Sequence, residues 1–276
     1  MQIKKIFFLI LLLSMEYVFS QANSDHIKIP FEIKNNSILL PVNFSNKVQF
    51  KLVFDSVEVN SFFTEQGILN FSREIHQNLY DWLRNDLMKK EPNISSSQLD
   101  ERIRMVREGK RSLIKMNRMW CGDFWIYNEI FFDNHISKLS GDGIICLRSF
   151  KGIKNLIINC KDNFIEINGS LHEGTKVPMY KIENADMYCF YINCEIDGEK
   201  EPFVLATASP VVAVKSNVSV EEGESFVANI KIADFSQDFV IAKHNDATYP
   251  YNFLGFPFFK DKCVQFDFEN MMLYVW

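Results

Sequence analysis

Histidine is scarce in this chain, and the five copies in 276 residues are widely scattered: His26, His76, His135, His172 and His244. No pair has the spacing of metal ligands, so neither a metal centre nor a cofactor is expected. The Gly-x-Ser-x-Gly elbow is missing, as are the phosphate loop and the dinucleotide fingerprint. Positive charge is not in excess. The formal net charge is -5, which speaks against a nucleic-acid partner. The cysteines show no CxxC and no zinc pattern. Beyond the first twenty residues, no apolar run is long enough to cross a bilayer.

What the chain does have is apolar mass and phenylalanine. Hydrophobic residues make up 47%, enough for one large core or two modest ones. Phe occurs 26 times, and aromatic enrichment favours strands. The N-terminus is a targeting segment. Lys4 and Lys5 precede the apolar run Ile6 to Leu13, and Val18-Phe19-Ser20 places a small residue before Gln21. Residues 1–20 therefore read as a signal peptide, and the mature protein as periplasmic, outer-surface or secreted, with no stable membrane span after cleavage. A membrane anchor fits less well, because the run is short and Glu16 interrupts its end. All six cysteines lie in the mature part. Export allows disulfides, and buried free thiols are the alternative. Cys189 and Cys194 differ by an odd number, so on one strand they would face opposite ways. Asn43-Phe44-Ser45 and Asn93-Ile94-Ser95 are glycosylation sequons, of use only in a host that glycosylates exported chains.

An internal repeat organises the rest. Ile29-Pro30-Phe31-Glu32-Ile33, then Ile38 to Phe44, then Phe50-Lys51-Leu52-Val53-Phe54-Asp55-Ser56 make strand, strand, turn, strand. The second half repeats this with Val177-Pro178-Met179-Tyr180, then Tyr188 to Ile196, the turn Asp197-Gly198-Glu199-Lys200, and Phe203-Val204-Leu205-Ala206-Thr207. Asp55 falls where Ala206 falls. Both halves close alike: Gly141 to Phe150 precedes a strand pair 155–160 and 163–167, and Tyr251 to Phe259 precedes a pair 263–268 and 271–275. Alternation in Val264-Gln265-Phe266-Asp267-Phe268 suits a half-buried strand.

This order resembles the retropepsin-like aspartic proteases, in the tandem form of exported bacterial proteins. Phe50 to Ser56 looks like the strand entering the catalytic motif; Asp142-Gly143-Ile144-Ile145-Cys146 and Phe253-Leu254-Gly255 look like the two apolar-apolar-Gly segments. The resemblance implies a mainly β, two-lobed aspartic-protease-like barrel fold. It gives a first lobe over residues 27–170, with a helical insertion at about 70–112, and a second lobe over 171–276. In that family two aspartates about 3 Å apart share one proton, so that one acts as base and the other as acid. A glycine after each lets the backbones approach.

Both motif loops depart from the pattern. The first reads Asp55-Ser56-Val57, with a stiff β-branched residue in place of glycine. The second reads Ala206-Thr207-Ala208, with a methyl group in place of the carboxyl. Losing one positioned acid or base forfeits about 10²–10⁴ in rate. The expectation is thus a protease-like fold without protease activity, with Asp55 as the remnant of the catalytic pair. Asp55 also has a plainer reading, as strand-end turn chemistry. In the family the hydroxyls at Ser56 and Thr207 brace the paired loops.

The insertion reads as two helices. Ile75, Leu79, Trp82, Leu83 and Leu87 give one apolar face, and Ser97 to Asp100 resembles a capping box before Leu99, Ile103 and Val106. Trp120 to Tyr127 falls at the family's flap, where its aromatics would line a groove or join the core. Three functions follow: an inactive homologue binding a peptide or protein in the inter-lobe cleft, an active aspartic endopeptidase using Asp55 through dimerisation, or a structural surface β protein.

Overall fold

Two copies of one six-strand cycle organise the chain. The structure is a computed structural model that describes residues 26–45, 48–134, 139–184, 187–215, 225–244 and 251–276. The leader assigned to residues 1–20 lies outside the described residues. In the first lobe Ser37–Ser45 pairs antiparallel with Val48–Asp55, which runs parallel to Gly143–Cys146. Ser61–Phe63 lies antiparallel to that strand and parallel to Phe124–Asp133. Ser112–Cys121 completes the cycle, its Trp120 returning opposite Asn43. The second lobe repeats each step with Tyr188–Ile196, Glu199–Leu205, Asn252–Leu254, Val212–Val214, Phe235–Lys243 and Ser225–Ile232, and closes at Ile196 opposite Ile230. The protein is therefore mainly β and two-lobed, each lobe a closed barrel, with a helical insertion in the first.

A third sheet joins the lobes. Its order is Ile27–Pro30, Phe164–Ile167, Asn155–Asn159, Cys263–Asp267, Met272–Val275, Thr175–Glu183. The first three strands belong to one lobe and the last three to the other. Ile29-Pro30 lies opposite Ile165 and Phe164; Val177-Pro178 lies opposite Leu273 and Met272. A local two-fold axis passes through the central pair, Ile157 opposite Gln265. Gln265 is fully buried there, and its amide is satisfied: Nε2 donates to the Ser170 carbonyl at 3.2 Å and Oε1 accepts from His172 N at 3.1 Å.

The insertion contains three helices and starts earlier than the apolar spacing indicates: Glu65–Glu74, Leu79–Lys90 and Ser96–Arg107. The chain breaks within the apolar run Ile75 to Leu87, at His76 with φ 52°. The Asn78 side chain accepts from Tyr80 N and Asp81 N, so local capping wins over helix continuation. The capping box is Ser95 with Gln98, two residues before Ser97. Leu99, Ile103 and Val106 are buried as their spacing requires. The opposite face carries exposed ion pairs such as Arg84–Asp100, which add little stability each. Polar contacts tie the insertion to the lobe: Asn70 Nδ2 donates to Asp142 Oδ1 at 2.5 Å, Tyr80 donates from its hydroxyl to buried Asp133, and the Arg107 guanidinium lies 4.5 Å from the Tyr80 ring centre.

The Trp120 to Tyr127 segment turns at Gly122, φ 57°, against the inter-lobe strand. A Cβ on Gly122 would come within 3.3 Å of Ile29 Cγ1. The tip thus seats on the joining sheet, and Phe124 and Ile126 enter the core. The aromatics divide between the two expected places, with Phe124 in the core and Trp125 and Tyr127 lining a groove on the first lobe's flank. All six cysteines are buried free thiols.

Candidate functional site

Each lobe carries an apolar strand to the axis between lobes and turns there. In the first, Asp55 ends Val48–Asp55 opposite Cys146. In the second, Leu205 pairs with Leu254, and Ala206 N donates to the Leu254 carbonyl at 2.9 Å. Asp55 and Ala206 therefore hold equivalent positions, as do Cys146 and Gly255.

The two turns grip each other through four hydrogen bonds. Ser56 Oγ donates to the Leu205 carbonyl at 2.5 Å and accepts from Thr207 N at 3.0 Å. Thr207 Oγ1 donates to the Phe54 carbonyl at 2.8 Å and accepts from Ser56 N at 3.0 Å. Each hydroxyl is used in both senses, and each reaches over the axis. Both residues are buried. In so dry a place, unmet backbone groups would be costly, so the reciprocal pattern fixes the lobes' relative position.

The residues at the two expected glycine positions also cross over. Val57 packs with Met187, Cys189, Val204 and Ala206 of the second lobe. Ala208 packs against the cluster of Leu39, Val53, Phe62 and Ile144 in the first. Burying a valine side chain is worth about 1.5–3 kcal/mol. The side chain that departs from the family pattern thus serves as a lobe contact.

Asp55 is 9% exposed. Its Oδ1 accepts from Val57 N at 2.8 Å and from Glu58 N at 3.3 Å, an Asx turn. Burial pushes its carboxyl up, and the two backbone donors pull the other way. Glu58, which the motif comparison passed over, is half-buried on the same turn. Burial, and then the Asp55 charge, push its carboxyl up to about 7. Burial and Asp55 likewise push the Cys189 thiol up to about 12. The signal for Glu58 was its place three residues after Asp55, within one turn.

The arrangement brings Asp55, Ser56, Val57, Ala206, Thr207 and Ala208 together, but with one carboxyl on the axis and a methyl group at its equivalent. A proton cannot be shared between them. Among the described residues no group of three or more His, Cys, Asp or Glu side chains gathers to hold a metal.

The closing loops differ in a testable way. A Cβ on Gly255 would lie 1.9 Å from the Val211 carbonyl oxygen, a rigid backbone atom. Cys146, its equivalent, accommodates a side chain whose thiol contacts Ser61 Oγ at 3.5 Å and the Val59 carbonyl at 3.4 Å. Gly255→Ala is expected to cost about 1–3 kcal/mol or more by overpacking, whereas Cys146→Ala costs about 1 kcal/mol. Urea denaturation of both variants checks this. Equal losses would mean that the loops are not asymmetric.

No family model matches this chain, and no curated protein matches it in sequence. The geometry must carry the functional reading.

Proposed function

We propose that this chain is an exported, catalytically inactive relative of the retropepsin-like aspartic proteases, whose two-lobed scaffold holds a peptide or protein segment between its lobes. One observation carries the inactive part of the reading: Asp55 and Ala206 hold equivalent places on turns braced by Ser56 and Thr207. The scaffold around a carboxyl pair is kept, and half of the pair is absent. Binding is supported by a cavity of about 230 Å³ on the lobe boundary, with Leu147 and Phe150 on one wall and Tyr188 and Phe190 on the other. Export rests on the leader sequence alone.

An endopeptidase formed by pairing the first lobes of two chains is disfavoured. Ser56 and Val57 already engage the second lobe of their own chain. Burial of Asp55 and Val57 favours a different second reading, a structural β protein with no cleft ligand.

The test is incubation of the purified mature protein with a mixed peptide library from acidic to neutral pH, beside Asp55→Ala. Neither protein is expected to cleave. Cleavage by wild type that Asp55→Ala abolishes would overturn the proposal. Peptides retained by the immobilised protein support binding between the lobes when a bulky substitution at Tyr188 releases them. An empty retained fraction leaves the structural reading.

A further inference from the structure

The cavity on the lobe boundary has walls from both lobes. Leu147, Phe150 and Ile153 come from the first, and Phe190 and Phe268 from the second. Leu147, Phe150, Ile153 and Phe190 are buried, and the Phe190 and Phe268 rings lie 5.1 Å apart. All five pack with the core, so the walls are in place before anything enters. The volume, about 230 Å³, falls below the roughly 300–1,000 Å³ of pockets that enclose a whole drug-sized ligand. It suits one large apolar side chain of a longer ligand whose remainder lies outside.

Charge sets the kind of ligand. Lys151 and Lys181 border the cavity, and among the described residues no carboxylate lines it. Lys181 Nζ lies 2.6 Å from Glu183 Oε2 and 4.8 Å from the Tyr188 ring centre. The Glu183 carboxyl is held below its usual range, first by its hydrogen bond from Lys181 and then by the charges of Lys181, Arg148 and Lys151. Three cations, two from the first lobe and one from the second, thus face one carboxylate. Glu269, on the turn beside Phe268, is paired with Lys154 at 3.6 Å. Arg148 and Lys151 form no ion pair among the described residues, and the hydroxyl of half-buried Tyr188 makes no hydrogen bond there. Unpaired cations beside an apolar wall attract anionic groups and select against cationic ones.

We propose that the lobe-boundary cavity takes an acidic peptide segment, which inserts one aromatic or large aliphatic side chain against Phe150 and Phe190 and sets flanking carboxylates beside Lys151, Arg148 and Lys181. The inference rests on the reading that the lobes hold a peptide or protein segment, and it names the class of that segment. The probe is a fluorescein-labelled, amidated pentapeptide with one phenylalanine between two glutamates. Its anisotropy is read against the full mature protein, beside retention of the mixed peptide library. The probe is expected to bind, and hydrogen exchange to slow at residues 147–153 and 188–190. Replacing its phenylalanine by alanine, or its glutamates by glutamines, should each weaken binding by about tenfold or more. Lys151→Glu, at an exposed position, should weaken the acidic probe as much and leave the glutamine analogue unchanged. Library peptides retained without acidic enrichment, with the probe unbound, would overturn the inference and leave the binding reading standing. Probe binding that ignores Lys151→Glu or the loss of phenylalanine would overturn it too, as would protection confined to other segments. If neither the probe nor any library peptide is retained, both the inference and the binding reading fall.

Discussion

Thr207→Val should lower stability by about 2–4 kcal/mol, although valine nearly matches threonine in shape. Thr207 is fully buried, so the change removes chemistry and little volume. It leaves the Phe54 carbonyl without its donor at 2.8 Å and Ser56 N without its acceptor at 3.0 Å. Each orphaned buried group costs about 1–3 kcal/mol. Ser56→Ala should cost as much, because Thr207 N and the Leu205 carbonyl lose their partners. The double variant should cost less than the two losses added, by about 1 kcal/mol or more. Once one hydroxyl is gone, the turns separate and the second has less to lose. Urea denaturation of the four proteins gives the cycle. A further sign should accompany the double variant: the single cooperative transition should split or its slope fall, since the grip is one of the places where the lobes hold each other. Additive losses below about 1 kcal/mol would show that the joining sheet alone couples the lobes.

The repeat was legible because strands reveal themselves in a single chain. Alternation and turn residues placed Phe50 to Asp55 beside Phe203 to Ala206 in the correct equivalence, and Ile29-Pro30 beside Val177-Pro178. The resemblance implied that the hydroxyls at Ser56 and Thr207 brace the paired loops, and their four bonds form such a brace. Four things were not legible, each for a physical reason. Val57 and Ala208 exchange lobes, and no local pattern says which of two similar cores a short turn side chain will enter. The helix over Ile75 to Leu87 was read from apolar spacing, but a single Asn78 cap resets the register. The seat of the hairpin tip at Gly122 did not follow from its place at the family's flap. Contact with Ile29, distant in sequence, draws it to the joining sheet. Glu58 was missed for another reason: a carboxylate at a strand end reads as solvated until burial and a neighbouring charge are known.

That carboxylate gives the second large expected effect, and its sign follows from the direction of the shifts. Glu58 is raised from 4.5 to about 7, and Asp55 is raised from 3.8. The folded state thus holds these protons more tightly than the unfolded chain does. Well below the unfolded values of 3.8 and 4.5 both groups are protonated in either state and nothing is lost. As pH rises from about 4.5 through 7, the unfolded chain ionises Glu58 freely while the folded protein resists, so stability falls, and the loss is complete above 7. Glu58→Gln removes that loss. It should stabilise the protein by about 1–2 kcal/mol at pH 8, a figure reduced for the partial exposure of the side chain, and change little at pH 4. Asp55→Asn is the more telling partner. It keeps an Oδ1 acceptor for Val57 N and Glu58 N but deletes the charge that helps raise Glu58. In that variant the Glu58 carboxyl, followed by carbon-detected NMR titration, should move back toward 4.5, while burial holds it above that value. A Glu58 carboxyl that titrates near 4.5 in the wild-type protein, or a Glu58→Gln gain that is equal at pH 4 and pH 8, would mean that the turn is open to water. The Asp55 turn would then be an accessible cleft floor. If instead both results come out as expected, Asp55 and Glu58 sit in a dry lobe interface. Any ligand of this protein must then be held by its flanking walls.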